Sequence, residues 1–186
     1  MNKLATVSAI VALAVGGPAL AADFDYHYVD GNLILADAGA NNDGIGFGVA
    51  GSVDLPQLYR NATGFGGASY VNFDGGNLLN LEGGLGFHWP LARQVDFTGG
   101  VALELNKYTG GGGSDLGLGL NAGVRARPFS PQWELKGGLK YVDIGQYEDT
   151  SIVLGARYMF QPRMSAGVEL ASGDIDYWTL SVRWEL

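Results

Sequence analysis

Cysteine does not occur among the 186 residues of this chain, so disulfide bonds and a lipid-modified cysteine are both excluded. Basic residues are scarce as well: 11 Lys and Arg stand against 19 Asp and Glu, leaving a formal net charge of -8. That balance disfavours binding to nucleic acid, since the phosphates would be repelled. Only 6 prolines accompany 31 glycines, and the glycines follow no period of three, which excludes a collagen-like chain.

Long apolar runs are missing beyond residue 22, where no segment approaches the roughly 18 apolar residues that a membrane-spanning helix needs. The short run at the start follows Lys3, reads LATVSAIVALAV and ends near the small-residue pattern Ala19–Ala21. This arrangement is typical of a secretory signal peptide, with a short membrane anchor as the alternative. We therefore expect residues 1–21 to be a cleaved signal peptide and residues 22–186 to form a single domain.

Alternation of large apolar residues with small or polar ones is abundant in the rest of the chain. In GIGFGVAGSVDL, apolar side chains recur with a period of two, and glycine, alanine or serine lies between them. This period is typical of a strand, and no window shows a sustained helical period. Ten segments carry the pattern: FDYHYVDGNLILA, GIGFGVAGSVDL, TGFGGASYVNF, LLNLEGGLGFHW, VDFTGGVALEL, LGLGLNAGVRA, WELKGGLKY, SIVLGARYMF, SAGVELA and YWTLSVRWEL. In the first, the apolar parity changes between Tyr28 and Leu33, which predicts a β-bulge at Asp30–Asn32.

The connections between these segments are of two kinds that alternate along the chain. One kind contains proline, as in DLPQLYRN and RPFSPQ, and the other is acidic, glycine-rich and free of proline, as in DGGN and SGDID. Strict alternation places all connections of one kind at the same end of an up-and-down sheet. With an even number of strands, both termini of the mature chain lie at the proline end.

The two faces of the predicted sheet differ in character. One is large and apolar with charge only at strand ends, while the other is mostly Gly, Ala, Ser and Asn with scattered charges. No helix is available to cover the apolar face, so we predict that lipid covers it. Backbone groups in hydrocarbon must all be paired, which requires a closed barrel. The predicted fold is all-β, a closed antiparallel up-and-down transmembrane β-barrel of ten strands; the alternative has eight, with the first segment or Ser165–Ala171 outside.

Aromatic residues fall at two levels of the predicted barrel, as in the aromatic girdles of membrane barrels. We predict contact with the lipid interface for Phe87, Trp89, Trp133, Tyr158, Trp178 and Trp184. The proline-end level also takes in Phe24, Tyr26, Phe65, Phe97 and Phe160, and the opposite level takes in Phe47, Phe73, Tyr108 and Tyr141. For any single ring, ordinary core packing is an equal alternative.

The signal peptide, the alternation, the short turns at one end and the aromatic C-terminal strand YWTLSVRWEL resemble the small outer-membrane β-barrels of Gram-negative bacteria, the OmpA/OmpX-like group. The resemblance covers the whole mature chain and rests on pattern rather than on a diagnostic motif. It implies a bacterial outer-membrane location, insertion by the barrel-assembly machinery, and contact with outer-membrane lipid and lipopolysaccharide. It also implies proline turns in the periplasm and acidic loops outside. We expect the protein to be a monomer.

Charged residues of the small-residue face are predicted to point into the barrel. The predicted polar network of the lumen consists of Glu82, Glu104, Arg125, Lys136, Lys140, Arg157, Glu169 and Arg183, with Arg127, Glu134 and Glu185 on the same face. Both signs occur, and a charge in a narrow lumen is costly unless it is paired or wetted. The network either plugs the barrel with ion pairs or lines a selective pore in which Arg125, Lys140 and Arg157 set an anion preference.

Support for catalysis is weak. Outer-membrane barrel enzymes commonly use a histidine near the outer rim, whereas His27 and His88 map to the proline end and have no serine beside them in the sequence. A serine from another strand is the alternative. We predict no enzyme activity, no catalytic residue and no cofactor. The acidic loops have no EF-hand-like register and are interpreted as solvated charge, so no metal site is predicted.

Three functional hypotheses follow from these patterns. The first is a non-enzymatic outer-membrane barrel with a role in envelope structure or surface interaction. The second is a narrow pore for small solutes. The third is a soluble exported barrel that binds an apolar ligand inside, like a lipocalin, and it requires the apolar face to point inward and the glycines outward.

Overall fold

The computed structural model describes residues 24–39, 42–109 and 113–186, so the predicted signal peptide lies outside the described residues. Each predicted segment contributes one strand. The strands are β1 (Tyr28–Asp37), β2 (Asp43–Asp54), β3 (Ala62–Phe73), β4 (Gly76–Ala92), β5 (Val95–Thr109), β6 (Ser114–Ala126), β7 (Trp133–Ile144), β8 (Tyr147–Gln161), β9 (Met164–Ser172) and β10 (Asp176–Glu185). Within the described ranges, no helix is long and apolar enough to cross a membrane.

The strands form a closed antiparallel circuit in which sequence neighbours pair and β1 pairs with β10. The closing ladder runs from Tyr28 opposite Glu185 to Asp37 opposite Asp176. Closure leaves no unpaired sheet edge, as strands in hydrocarbon require. The ten-strand up-and-down barrel is therefore confirmed. The eight-strand alternative is wrong, because β1 and β9 each pair on both sides.

We call the end that carries the proline connections the turn end and the opposite end the loop end. The turn end holds the connections β2–β3, β4–β5, β6–β7 and β8–β9, and the loop end holds the others. The β7–β8 connection at the loop end reverses the chain within two residues, where Gly145 has a φ of 65° that glycine adopts without strain. Both described chain ends meet at the turn end, where the Leu186 amide donates to the His27 carbonyl at 2.9 Å.

Large apolar side chains cover the outside of the barrel. Phe47, Leu103 and Leu118 lie on three different strands and are 67%, 57% and 59% exposed. Charged side chains of strand interiors point the other way, and Glu104, which follows Leu103, is 1% exposed. Because successive residues of a strand face opposite sides, the period of two separates an apolar exterior from a polar interior. This orientation does not favour the lipocalin-like alternative.

The predicted bulge in β1 is wrong. The register of β1 is unbroken from Tyr28 to Asp37 against both β2 and β10, so Asp30 keeps the inward parity of Tyr28. Phe24 and Tyr26 are 8% and 7% exposed, which also corrects their predicted place in the outer girdle. The physical reason is that their rings contact arginine guanidinium groups in the lumen, a cation–π partner that hydrocarbon does not offer.

Strand β3 turns Phe65, Val71 and Phe73 inward, so the predicted outer positions of Phe65 and Phe73 are wrong. Val71 and Phe73 are 2% and 6% exposed, and Phe65 lines the lumen. Neighbouring glycines provide the space. A Cβ on Gly44 would lie 2.8 Å from the Phe73 ring, and one on Gly84 would lie 2.8 Å from the Phe65 ring. The glycine-rich face of the sheet thus accommodates aromatic side chains as well as charged ones.

An apolar cluster occupies the lumen at the loop end. It consists of Ile34, Ala36, Val71 and Phe73, with Ala38, Leu78, Ile175 and Tyr177 packed against it. Tyr108, which was predicted to lie in the outer girdle, instead lines a cavity beside this cluster, because it shares the inward parity of Glu104 on β5. The lumen is therefore apolar near the loop end and charged elsewhere.

Candidate functional site in the barrel lumen

Arg125 and Glu134 form the central ion pair of the turn end. They lie on the inner faces of the paired strands β6 and β7, where Arg125 stands opposite Lys136. Nε and Nη2 of Arg125 donate to the two oxygens of Glu134, each at 2.9 Å. Arg127 Nη2 lies 3.5 Å from the same carboxylate. Bidentate, charge-assisted bonds of this kind are among the stronger ones in proteins, so one buried carboxylate stabilises two guanidinium groups.

Asp30 holds a second pair of guanidinium groups. Arg183 donates to the two Asp30 oxygens at 2.9 and 2.8 Å, and Arg157 Nη2 lies 3.6 Å from Asp30. Arg157 also donates to the hydroxyls of Ser165 at 3.3 Å and Ser181 at 3.0 Å. In both turn-end clusters, a single buried carboxylate lies between two arginines.

Lys140 joins two carboxylates across the middle of the lumen. Its Nζ lies 3.0 Å from a Glu82 oxygen and 2.8 Å from a Glu104 oxygen. Glu82 is on β4 and Lys140 on β7, and these strands are not neighbours in the sheet, so this contact spans the barrel interior. Asn80 donates to Glu104 at 3.2 Å and to Asn106 at 2.7 Å. The polar network is therefore continuous from β4 and β5 to β7.

A cavity of about 370 Å³ lies in the charged part of the lumen. Its lining includes Lys136 and Glu169, which form an ion pair with each other, and the Lys136 side chain is 42% exposed. A second cavity, of about 220 Å³, lies at the loop end and is lined mainly by apolar and aromatic residues such as Phe73 and Tyr108. The two linings share no residue, so the two cavities are separate. We call the cavity of about 370 Å³ the polar chamber.

The site residues predicted from the sequence lie on two opposite faces of the barrel wall. The predicted polar network lies on the inner face, and each of its members takes part in an ion pair. The predicted interface aromatics all lie on the outer face, with exposures from 40% for Tyr158 to 54% for Trp89. The structure thus gives these side chains the orientation that was expected, while their roles stay predictions.

Sequence reasoning missed several residues of the lumen. Asp30 was obscured by the bulge assigned to β1, although an unbroken period of two would have turned it inward. Asp96 carried a signal, since it shares the parity of Glu104 on β5. The inward positions of Phe24 and Tyr26 had no separate signal, because a large ring is equally compatible with lipid and with a packed interior.

His88 belongs to a contact cluster at the turn end. Its ring stacks on Tyr26, with 4.0 Å between ring centroids and 16° between planes, and its Nδ1 lies 3.6 Å from Asp96. The Tyr26 hydroxyl donates to Asp96 at 2.9 Å. These contacts place the His88 ring against both Tyr26 and Asp96. Within the described ranges, no group of three or more His, Asp or Glu is placed to hold a metal ion.

Comparison with known proteins is informative at the level of the fold. No family model matches the chain, and no curated protein matches it. An outer-membrane channel from Pseudomonas putida F1 matches with a TM-score of 0.50 at 9% identity, covering 91% of this chain and 99% of that one. The KdgM porin matches at 0.45 and 11% identity (86% and 99% covered), and Neisserial surface protein A at 0.43 and 12% identity (86% and 95% covered). The chain has the closed-barrel fold of small outer-membrane proteins.

Proposed function

We propose that this chain is a non-enzymatic β-barrel of the bacterial outer membrane that contributes to envelope structure or surface interaction. The observation that carries the proposal is the sidedness of the barrel. Large apolar side chains such as Phe47 and Leu103 are more than half exposed on its outside, whereas the charged residues of strand interiors are paired in the lumen. Such an exterior is stable against hydrocarbon and would be an aggregation surface in water.

The surroundings of the barrel belong to the same proposal. The protein is exported from a Gram-negative cytoplasm by its signal peptide and inserted into the outer membrane by the barrel-assembly machinery. It is a monomer in that membrane. The loop end, which is rich in exposed carboxylates such as Asp37, Asp43 and Asp174, faces the lipopolysaccharide side, and the turn end faces the periplasm. The small-barrel fold and the opposite characters of the two ends support this orientation.

Two single-cysteine variants test both the location and the orientation, because the chain has no native cysteine. Asp174→Cys lies in a loop-end connection, and Phe129→Cys replaces a turn-end side chain that is 77% exposed. In intact Gram-negative cells, a membrane-impermeant maleimide should label Asp174→Cys and should label Phe129→Cys only after permeabilisation. Recovery of the wild-type protein from the periplasm without detergent would contradict the membrane proposal, and the reverse labelling pattern would invert the orientation.

A narrow pore is the second candidate, and the polar chamber of about 370 Å³ favours it. The chamber is lined by charges of both signs, including Lys136, Glu169 and Arg157, so it can be wetted. Planar-bilayer recordings on the purified barrel test this candidate. Discrete conductance steps from wild type, or from variants in which side chains that fill the ends of the lumen are truncated, support a pore. Their absence from wild type and from every such variant contradicts it.

A further inference from the structure

Residues 24–27 enter the turn-end mouth of the barrel without belonging to its sheet. The ladders of β1 with β2 and β10 both begin at Tyr28, so these four residues precede all strand pairing. Their main-chain contacts with the barrel include the His27 carbonyl, which accepts from the Leu186 amide at 2.9 Å, and the Asp25 carbonyl, which accepts from Arg125 at 3.4 Å. Their withdrawal would therefore leave every strand pair of the barrel intact.

Side chains hold this segment in the lumen. The Arg125 guanidinium lies 4.9 Å from the centroid of the Phe24 ring and 4.6 Å from that of Tyr26, and Arg127 lies 4.7 Å from Phe24. Tyr26 also donates to Asp96 and stacks on the His88 ring. Cation–π contacts that are shielded from water are stronger than exposed ones, so the segment is fixed by several modest interactions rather than by a sheet ladder.

The segment of residues 24–27 lies beside the polar chamber. Tyr26, Arg125 and Glu134 all line the polar chamber, and all three are buried, as is Phe24. Tyr26 thus forms part of the chamber wall, and the Phe24 ring lies next to it against Arg125 and Arg127. At the loop end, the buried cluster around Val71 and Phe73 occupies the lumen.

We propose that residues 24–27 are a removable plug, and that their withdrawal opens the chamber to water and small hydrophilic solutes at the turn end. This inference rests on the pore candidate of the proposed function. The plug is held by aromatic rings against arginines that the barrel already pairs with Glu134, so the cations keep a carboxylate partner when the rings leave. Withdrawal of Tyr26 also takes its hydrogen bond from Asp96, which keeps His88 Nδ1 at 3.6 Å.

Access to a reporter inside the chamber tests the plug. Ala50 lines the chamber on the inner face of β2, and Ala50→Cys gives a single thiol of similar size. The reagent is trimethylammonium-ethyl methanethiosulfonate, applied to the folded barrel in detergent micelles. Phe24→Ala with Tyr26→Ala should raise the labelling rate about tenfold or more, because removing buried cation–π contacts and one hydrogen bond shifts the opening equilibrium by at least about that factor.

The matched control removes two aromatic rings of the outer face at the same end. Phe97→Ala with Trp184→Ala deletes aromatic volume without touching the plug, and its labelling rate should equal that of Ala50→Cys alone. Equal rates in the plug variant and the control overturn the proposal. Fast labelling of Ala50→Cys in the otherwise native barrel also overturns it, because the chamber would then be open already.

A milder variant covers the case in which the double plug variant does not fold. Tyr26→Phe keeps the ring and removes only the hydrogen bond to Asp96, and it should give a smaller rate increase in the same direction. An unchanged rate in Tyr26→Phe, when the double variant cannot be folded, overturns the proposal. Heat-modifiable migration in gels checks folding of every variant.

Bilayer recordings separate failure of the plug from failure of the proposed function. Because the cluster around Val71 and Phe73 occupies the lumen at the loop end, the recordings use barrels that carry Val71→Ala with Phe73→Ala. In that background, plug variants should show discrete conductance steps more often than the barrel with an intact plug. A barrel that folds and inserts but conducts equally with and without Phe24 and Tyr26 overturns the plug alone. A protein that does not insert into bilayers at all contradicts the membrane function as well.

Discussion

Removing the Glu134 carboxylate should be among the most destabilising single changes in this barrel. Its two oxygens accept Arg125 at 2.9 Å each, and Arg127 lies 3.5 Å away. The Glu134 side chain is 5% exposed, so the guanidinium groups bind this carboxylate out of contact with bulk water. In Glu134→Ala, two buried guanidinium groups lose their shared carboxylate, and breaking a buried pair typically costs about 3–5 kcal/mol. We expect the free energy of unfolding to fall by that amount.

The double variant Arg125→Met with Glu134→Leu isolates the cause. It removes both the bidentate cation and the carboxylate and replaces them with apolar side chains of similar length. Because replacing a whole buried pair by hydrophobic residues is often neutral or stabilising, we expect it to recover most of the loss. Both variants also lose the contact of Arg127 with Glu134 at 3.5 Å, so the recovery should be incomplete.

Urea titration of the refolded barrel in phosphatidylcholine vesicles measures these differences. All 4 tryptophans lie on the outer face, so their emission reports whether the barrel is inserted in lipid. A fall of less than about 1 kcal/mol in Glu134→Ala, which is the range of exposed ion pairs, would refute the reasoning. A double variant that is as unstable as the single one would equally show that unpaired charge is not the cause.

Three further predictions use the same titration. Leu103→Arg, on the outer face near the middle of β5, should lower the free energy of unfolding by about 2–4 kcal/mol; a cost near zero would place this residue outside the hydrocarbon. Gly84→Ala should cost about 1–3 kcal/mol, because its Cβ would collide with the Val101 carbonyl. Its control, Gly83→Ala, has open space for the Cβ and should be neutral or stabilising by up to about 1 kcal/mol. Equal effects of the two changes would show that close packing against Gly84 does not matter. Lys140→Met should cost about 1–3 kcal/mol, because Glu104, which is 1% exposed, loses its cation and keeps the hydrogen bond from Asn80. Adding Glu104→Gln should restore part of the loss, and no restoration would argue against charge as the cause.

The number of strands, their up-and-down order and the outward faces of β2 and β4 to β10 were determined by the sequence alone. The reason is local: a strand turns alternate residues to opposite faces, and the apolar outer face of the closed barrel requires no matching surface from the rest of the chain. Leu103 and Glu104 are adjacent residues whose opposite environments follow from this period. The separation of proline turns from acidic loops likewise required no tertiary information.

The filling of the lumen was decided only by the tertiary structure. The period of two divides a strand into faces but does not say which face points inward when the interior can also accept an apolar ring. Phe65 and Phe73 face inward because glycines of neighbouring strands, such as Gly84 and Gly44, leave the space.

The pairing of the inward charges depends on distances across the barrel. Lys140 meets Glu82 from 58 positions away in the chain, and Tyr26 meets Asp96 from 70 positions away. Such partners are set jointly by closure of the circuit and by the register of every ladder between them, and no local pattern carries that information.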